Sequence, residues 1–471
     1  LKDSRITAEK KILVEQLQHS ILDKIDALLA LNVGYLCLNR SVPSLSGGER
    51  QRVRIATQLT CSLKGLIYIL DEPCKGLHYR DITRIINATK DLIKRGNTVI
   101  AIEHNKQYIS AADYRIELGP EGGPKGGYLI SQGKVVKEPQ KGLCFKPVNV
   151  YKNYLELNNI SLRNISKQNA RFPIGGITCI TGVSGSGKST LALAVSESLS
   201  KSTAKTYGVL RGQQYIKRII RVNQAPIGKT PRSTVVSYLE IFDEIRSLFS
   251  KTETAKKLKL SASMFSMNVK GGRCEFCQGT GMQKIDLNYL PSAFITCPEC
   301  QGRRFNDNIL SVIYKEKTIL DVLDSPVADI IETFKDNKKV FSVLSSMIEL
   351  GLGYLTLGQM SMNLSGGEAQ RIKLAKALGV LSSGQNLYIL DEPTSGLNET
   401  DIEKFRRVLF SLQEKGETIL LIEHNIEFIA SVADYIIDFG VHGGNAGGKI
   451  VAQGNPIDVF SQEMSSLYRL G

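Results

Sequence analysis

Apolar positions in this chain fall into two recurring patterns. Short apolar runs at 177–181, 387–390 and 418–422 are too brief for helices and predict strands buried on both faces. Stretches at 190–199, 368–380 and 401–413 carry the 3.6-residue periodicity of helices, the second with Arg and Lys gathered on one side. Strands alternating with helices predict an α/β fold, a parallel sheet between helical layers. Residues 154–165 alternate apolar and polar and predict antiparallel strands, and 283–290 alternates in a way that allows a β-hairpin. Around 138–150, Pro, Gly and Lys are scattered with no period, which predicts a linker.

The pattern occurs twice. Leu45-Ser46-Gly47-Gly48-Glu49 recurs as Leu364-Ser365-Gly366-Gly367-Glu368, and Gly34-Tyr35-Leu36 as Gly353-Tyr354-Leu355, both at an offset of 319 residues. Ile69-Leu70-Asp71-Glu72-Pro73 and Ile102-Glu103-His104-Asn105 recur at 320, as Ile389-Leu390-Asp391-Glu392-Pro393 and Ile422-Glu423-His424-Asn425. The glycine pairs Gly122-Gly123 and Gly126-Gly127 return at 321 as Gly443-Gly444 and Gly447-Gly448. So many blocks in one order mark a duplicated architecture.

A length of 471 residues allows about two to four domains. No apolar run approaches the ~18 residues a membrane-spanning helix requires, which excludes a membrane-embedded transporter. Sixty Lys and Arg against forty-six Asp and Glu give +14, a bias toward polyanionic partners that many proteins share without binding any. Nine cysteines are too few for a disulfide scaffold, and no signal sequence opens the chain, so a cytoplasmic setting is expected. Cys37, Cys61, Cys74, Cys144 and Cys179 sit among apolar neighbours and read as buried small hydrophobes.

The chemistry concentrates in a few motifs. Gly182-Val183-Ser184-Gly185-Ser186-Gly187-Lys188-Ser189 fits G-x-x-x-x-G-K-S, preceded by a strand and followed by a helix. The glycines turn backbone N–H groups toward phosphate oxygens, Lys188 neutralises β/γ charge, the Ser189 hydroxyl can ligate Mg²⁺, and Thr190 continues the loop into the helix. Asp391, at a strand end, is the expected Mg²⁺ partner. Glu392 beside it is placed to polarise a water, and His424 to reach the γ-phosphate region. Ser46-Gly47-Gly48 forms a small-residue turn at a helix N-terminus, a second anion-binding device. Cys274-x-x-Cys277 and Cys297-x-x-Cys300, separated by nineteen residues and each followed by a glycine, suit a structural Zn²⁺ held by four thiolates.

The Leu-Ser-Gly-Gly-Glu blocks, taken with the phosphate loop and the Asp-Glu-Pro runs, resemble the signatures of ABC ATPases, in which one lobe's signature closes over nucleotide held by the other. Gln224 then looks like the glutamine-loop residue. Asn223-Gln224-Ala225-Pro226-Ile227-Gly228-Lys229-Thr230-Pro231-Arg232-Ser233 and Phe265-Ser266-Met267-Asn268-Val269-Lys270-Gly271-Gly272-Arg273-Cys274 closely resemble segments of the UvrA family, the damage-sensing ABC ATPases of bacterial nucleotide excision repair. So does the cysteine knuckle lying between phosphate loop and signature. The resemblance covers nearly the whole chain and departs from the family at Cys74-Lys75, where small or aliphatic residues are usual, and at Met267, where Phe is.

It implies tandem ABC-type P-loop ATPase lobes. Residues 1–145 form the signature half of a first, incomplete lobe. Residues 146–471 form a complete second lobe, with an insertion at about 225–365 and a zinc-knuckle β-hairpin module at about 265–310. It also implies that the chain is the C-terminal portion of a longer polypeptide. One composite ATP site is expected, with Lys188, Ser189, Gln224, Asp391, Glu392 and His424 facing Ser46, Gly47 and Gly48. The implied function is ATP-dependent recognition of damaged duplex DNA in the UvrABC excision system, without nuclease activity. ATP, Mg²⁺ and Zn²⁺ would be cofactors; UvrB, contacted through the part preceding this chain, and a second copy would be partners. Lys229, Arg232, Lys270 and Arg273 are the candidate DNA contacts. A UvrA-like ATPase acting in drug protection is the alternative.

Overall fold

The computed structural model describes residues 8–42, 45, 47–60, 63–77, 79–120, 126–135, 142–200, 207–223, 225, 227–228, 233–287, 290–379, 384–440 and 442–468. In the first copy, α1 (Ala8–Ala30) leads to α2 (Gly47–Leu59), β1 (Ile67–Asp71), α3 (Tyr79–Lys94), β2 (Thr98–Ile102), the single turn α4 (Lys106–Ile109), β3 (Tyr114–Gly119) and β4 (Tyr128–Lys134). β1 and β2 pair in parallel, β3 and β4 antiparallel. A small core gathers Leu31, Ile55, Leu77, Ile82 and Ile85, mostly from α2 and α3 and the turns beside them.

The second copy begins with an antiparallel sheet of β5 (Tyr154–Leu162), β6 (Ile165–Pro173) and β8 (Val209–Arg211). It then builds a six-stranded sheet from β7 (Ile177–Thr181), β9 (Arg218–Val222), β12 (Asn386–Asp391), β13 (Thr418–Ile422), β14 (Tyr435–Phe439) and β15 (Ile450–Gly454), in the order β15-β14-β7-β13-β12-β9. All neighbours run parallel except β14 and β15. Helix α5 (Lys188–Leu199) covers one face, and a large core with the inserted helices covers the other. The predicted helix at 401–413 spans Glu399–Glu414, capped by Asn398, and that at 368–380 spans Gly366–Gly379. The stretch 154–165 is one strand and a turn, with β6 running on to Pro173. Segment 142–150 has no regular structure and is fastened to the second lobe, Lys146 Nζ lying 2.9 Å from Asp434 Oδ1.

Topology separates the copies. In the second lobe β7 stands between β13 and β14, joining two strand pairs into one sheet. In the first, the equivalent pairs β1-β2 and β3-β4 are separate sheets among the described residues. Side chains buried in the second lobe are consequently open in the first: Ile69 is 69% exposed and Ile389 4%, Ile102 58% and Ile422 2%, Leu118 67% and Phe439 0%. The hydrophobic pattern is the same, and the covering layer of β7, α5 and the antiparallel sheet accounts for the difference.

Two expectations about cysteines need correction. Cys74 and Cys179 are buried, but Cys37 lies exposed in the turn after α1 and Cys144 exposed in the irregular linker, where apolar neighbours in sequence do not assemble around them. Cys61 lies outside the described residues.

Candidate nucleotide site and cysteine knuckle

The phosphate loop is shaped by Gly182, Gly185 and Gly187, at φ of 130°, 75° and 117°, in the left-handed region where glycine is favoured. Gly182 also needs its missing Cβ for space: one would lie 2.7 Å from the Phe439 carbonyl oxygen. Lys188 opens α5, is buried, and donates from Nζ to the carbonyls of Gly182 and Val183, both at 2.9 Å. Burial pulls its pKa down to about 8, against the opposing pull of Glu392 and Asp391. Ser189 is exposed in the first turn and Thr190 is buried behind it.

Across the sheet, β12 delivers Asp391 and Glu392. Burial, reinforced by Glu392, raises Asp391 to about 6, and burial also raises Glu392. Glu392 takes the left-handed conformation, φ 49°, as does its counterpart Glu72, φ 45°, and each N–H donates to the end of the neighbouring strand, Glu392 to Ile422 at 2.8 Å and Glu72 to Ile102 at 2.9 Å. That strained turn aims the carboxylate out of the strand. His424 Nε2 lies 3.5 Å from Glu392 Oε1, and burial holds its imidazole well below its ordinary pKa. Glu423, raised to about 7 by burial, fixes the backbone there by accepting from the N–H groups of His424 at 2.7 Å and Asn425 at 3.1 Å.

The first lobe supplies the opposite wall. A Cβ at Gly76 would lie 2.9 Å from Glu392 Oε2, and one at Gly185 3.0 Å from Tyr35 Cε2. The Tyr35 hydroxyl donates to Glu49 Oε1 (2.8 Å) in the first turn of α2, the helix that the Ser-Gly-Gly turn opens. Gly48 lies behind the same wall, its missing Cβ 3.2 Å from the Lys75 carbonyl. Gly47 begins α2; Ser46 and Gln224 lie outside the described residues. Sequence reasoning missed Tyr35, Gly76, Asn164 and the second glycine pairs as parts of this site. Gly444 N donates to Gly185 O at 3.0 Å, Gly448 N to Ser186 O at 2.8 Å, and the Asn164 amide to Gly185 O at 3.2 Å, so this segment braces the loop from behind. The repeated Gly-Tyr-Leu and glycine pairs were the available signal.

In the inserted module, Cys274, Cys277, Cys297 and Cys300 are buried, with their Sγ atoms all within 4.8 Å of one another. Cys274 and Cys297 stand 4.0 Å apart and Cys277 and Cys300 3.7 Å. A tetrahedral Zn²⁺ with Zn–S bonds of ~2.3 Å has sulfur–sulfur edges of ~3.8 Å, so the cluster fits that ion. At Cys277, burial, which raises the thiol, is outweighed by donors including Gly281 N–H at 3.3 Å, and the thiol falls to about 7. The hairpin of β10 (Met282–Leu287) and β11 (Leu290–Thr296) grows from the cluster, with Met282 opposite Thr296.

Of the candidate DNA contacts, the two among the described residues differ in exposure. Lys270 is exposed. Arg273 is buried, its guanidinium on Glu275 Oε2 at 3.3 Å and the Asn268 carbonyl at 3.3 Å, because it braces the knuckle from inside. Lys229 and Arg232 lie outside the described residues.

A glycine phosphate loop after a central parallel strand, a half-buried Asp-Glu at the end of the next strand but one, and a signature helix from the first copy behind the opposing wall define an ATPase of the ABC type. The family model described as ABC transporter matches residues 165–395. UvrABC system protein A of Bacillus subtilis (strain 168) is 42% identical over 486 residues, covering 98% of this chain and 51% of that protein. The Aquifex aeolicus (strain VF5) protein of the same name is also 42% identical, covering 97% and 51%. The crystal structure of UvrA2 from Deinococcus radiodurans superposes with a TM-score of 0.91 at 40% identity, covering 99% of this chain and 59% of that one. The chain is similar over nearly its whole length to a portion of UvrA-family proteins. It spans about half the length of the curated relatives it matches.

Proposed function

We propose that this chain is the nucleotide-hydrolysing and DNA-facing part of a damage-recognition ATPase of nucleotide excision repair. The observation that carries the reading is the composite site, in which Tyr35 and Gly76 of one copy close on Gly185 and Glu392 of the other. Such a site couples hydrolysis to the relative position of two lobes, as a protein that must grip and release DNA requires. The relatives named above do not favour the drug-protection alternative.

In this reading the N–H groups of residues 182–189 and the Lys188 ammonium hold the phosphates of ATP, while Ser189 and Asp391 hold Mg²⁺, which would neutralise charge developing on the transferred phosphoryl group. Glu392 orients the attacking water and takes up its proton, and the neutral His424 lies beside that carboxylate to keep it aimed. Gln224, Ser46, Gly47 and Gly48 complete the enclosure. Zn²⁺ on the four thiolates would fold the knuckle, whose module otherwise has little core of its own. Lys270, with Lys229 and Arg232, contacts phosphates of a duplex, and Arg273 sets the knuckle's shape. Damaged duplex DNA, a UvrB-type partner and a second copy are the proposed partners, in the cytoplasm; among the described residues no helix is long and apolar enough to cross a membrane.

The test is binding of the full-length polypeptide, with zinc and ATP, to lesion-bearing and intact duplexes at physiological salt. Tighter binding to the lesion is expected; equal binding removes the damage-recognition reading.

A further inference from the structure

The first lobe carries Lys75 where the second carries Ser395, two residues past the proline of the Asp-Glu-Pro turn. The substitution adds a cation at the seam between the lobes. Lys75 Nζ lies 2.6 Å from Glu72 Oε2, both side chains about a quarter exposed, at 29% and 26%. Its backbone is pinned as well: Lys75 N donates to Glu72 O at 3.0 Å, Leu77 N to Cys74 O at 3.1 Å, and Cys74 N to Glu103 Oε1 at 2.8 Å. The turn so fixed ends at Gly76, φ 65°, where a Cβ would fall 2.9 and 3.2 Å from the two carboxylate oxygens of Glu392 in the other lobe. Glu392 is therefore wedged between His424 of its own lobe and the backbone of this turn. Lys75 is also one of two cations, with Lys188, whose charge favours the ionised form of Glu392.

We propose that Lys75 of the first lobe is a positioning residue for hydrolysis in the second: its ammonium, anchored on Glu72, seats the Cys74-Lys75-Gly76 turn on the Glu392 carboxylate and holds that carboxylate on its water. The inference rests on the proposed role of Glu392. The two copies differ in this charge and not in the seating itself, since Gly396 after the uncharged Ser395 also lies against Glu72, a Cβ there falling 3.1 Å from Oε1.

The experiment compares ATP hydrolysis by Lys75→Met, Lys75→Arg and Glu392→Gln in the full-length polypeptide with Glu72 left intact, the rate removed by Glu392→Gln defining this site's share, to which the changes below refer. Lys75→Met should lower kcat about tenfold or more while KM for ATP stays within about twofold, since positioning of the water and not nucleotide binding is lost. Lys75→Arg, which keeps the charge, should recover most of the rate. A crystal structure of Lys75→Met should show the Glu392 carboxylate withdrawn from Gly76. Unchanged kcat in Lys75→Met, or Glu392 still seated on Gly76 in its structure, overturns the inference. If instead Glu392→Gln hydrolyses as fast as its parent, the role of Glu392 itself is wrong.

Discussion

Tyr35 of the first lobe closes on Gly185 of the second, so near that a methyl group there would stand 3.0 Å from ring atom Cε2 and 3.1 Å from Cζ. Gly185 also has φ 75°, which an L side chain adopts at a cost of order 1–3 kcal/mol. Gly185→Ala is therefore expected to weaken nucleotide binding by about tenfold or more, read by calorimetry. Tyr35→Phe keeps the ring contact and loses the bond to Glu49 and the long one accepted from Arg52 Nη2 at 3.4 Å, about 1–2 kcal/mol together, so it should lower the melting temperature slightly and leave affinity alone. Equal affinities for Gly185→Ala and the parent would show that the lobes part freely here.

Glu392→Gln should bind ATP with parental affinity and hydrolyse it about a hundredfold or more slowly, the loss expected when a positioned base is removed. One nucleotide per chain is expected, since Lys188 lies in the one phosphate-loop motif of the sequence. Two nucleotides per chain in equilibrium dialysis would contradict it.

The knuckle should release its metal to a strong chelator, and the hairpin β10-β11 should then lose hydrogen-exchange protection while β7, β12 and β13 keep theirs. Cys277→Ser should behave as the chelated protein does. Zinc content unchanged in that variant would place the metal elsewhere.

Asp391 gives a pH dependence with a definite sign. Its folded pKa is raised from 3.8 to about 6, so the stability tied to it is complete below the unfolded value and lost as pH rises through about 6. In nucleotide-free protein, Asp391→Asn should raise the melting temperature at pH 8 and have little effect near pH 4. A gain that is the same at both pH values would mean that the carboxylate is not desolvated in solution.

For DNA, Lys270→Glu should weaken binding of intact and damaged duplex alike and reduce the slope of log K against log salt by about 1. Arg273→Ala should instead lower zinc retention, because that side chain faces inward.

Much of this was readable before any coordinates. The duplication, strand β7, the phosphate loop and the four-cysteine cluster are local in sequence and constrained by tight geometry, so spacing alone exposes them. Arg273 was misjudged because burial depends on Glu275 and the Asn268 carbonyl folding around it, and composition treats every arginine as surface charge. Cys37 and Cys144 failed for the converse reason: apolar neighbours along the chain say nothing about what packs there in space. Tyr35 and Gly76 act on residues more than a hundred positions away, and a repeat search reveals that they recur without revealing what they touch.

The open face of the first lobe has the make-up of an interface. Ile67, Ile69, Ile100 and Ile102 lie on two adjacent parallel strands, all more than half exposed, beside a separate hairpin that exposes Ile116 and Leu118. β-branched side chains on exposed strands are what chaperones bind and what stacks into aggregates when nothing covers them. A contiguous apolar face like this one marks a surface built to be covered, as β7 and α5 cover its counterpart in the second lobe.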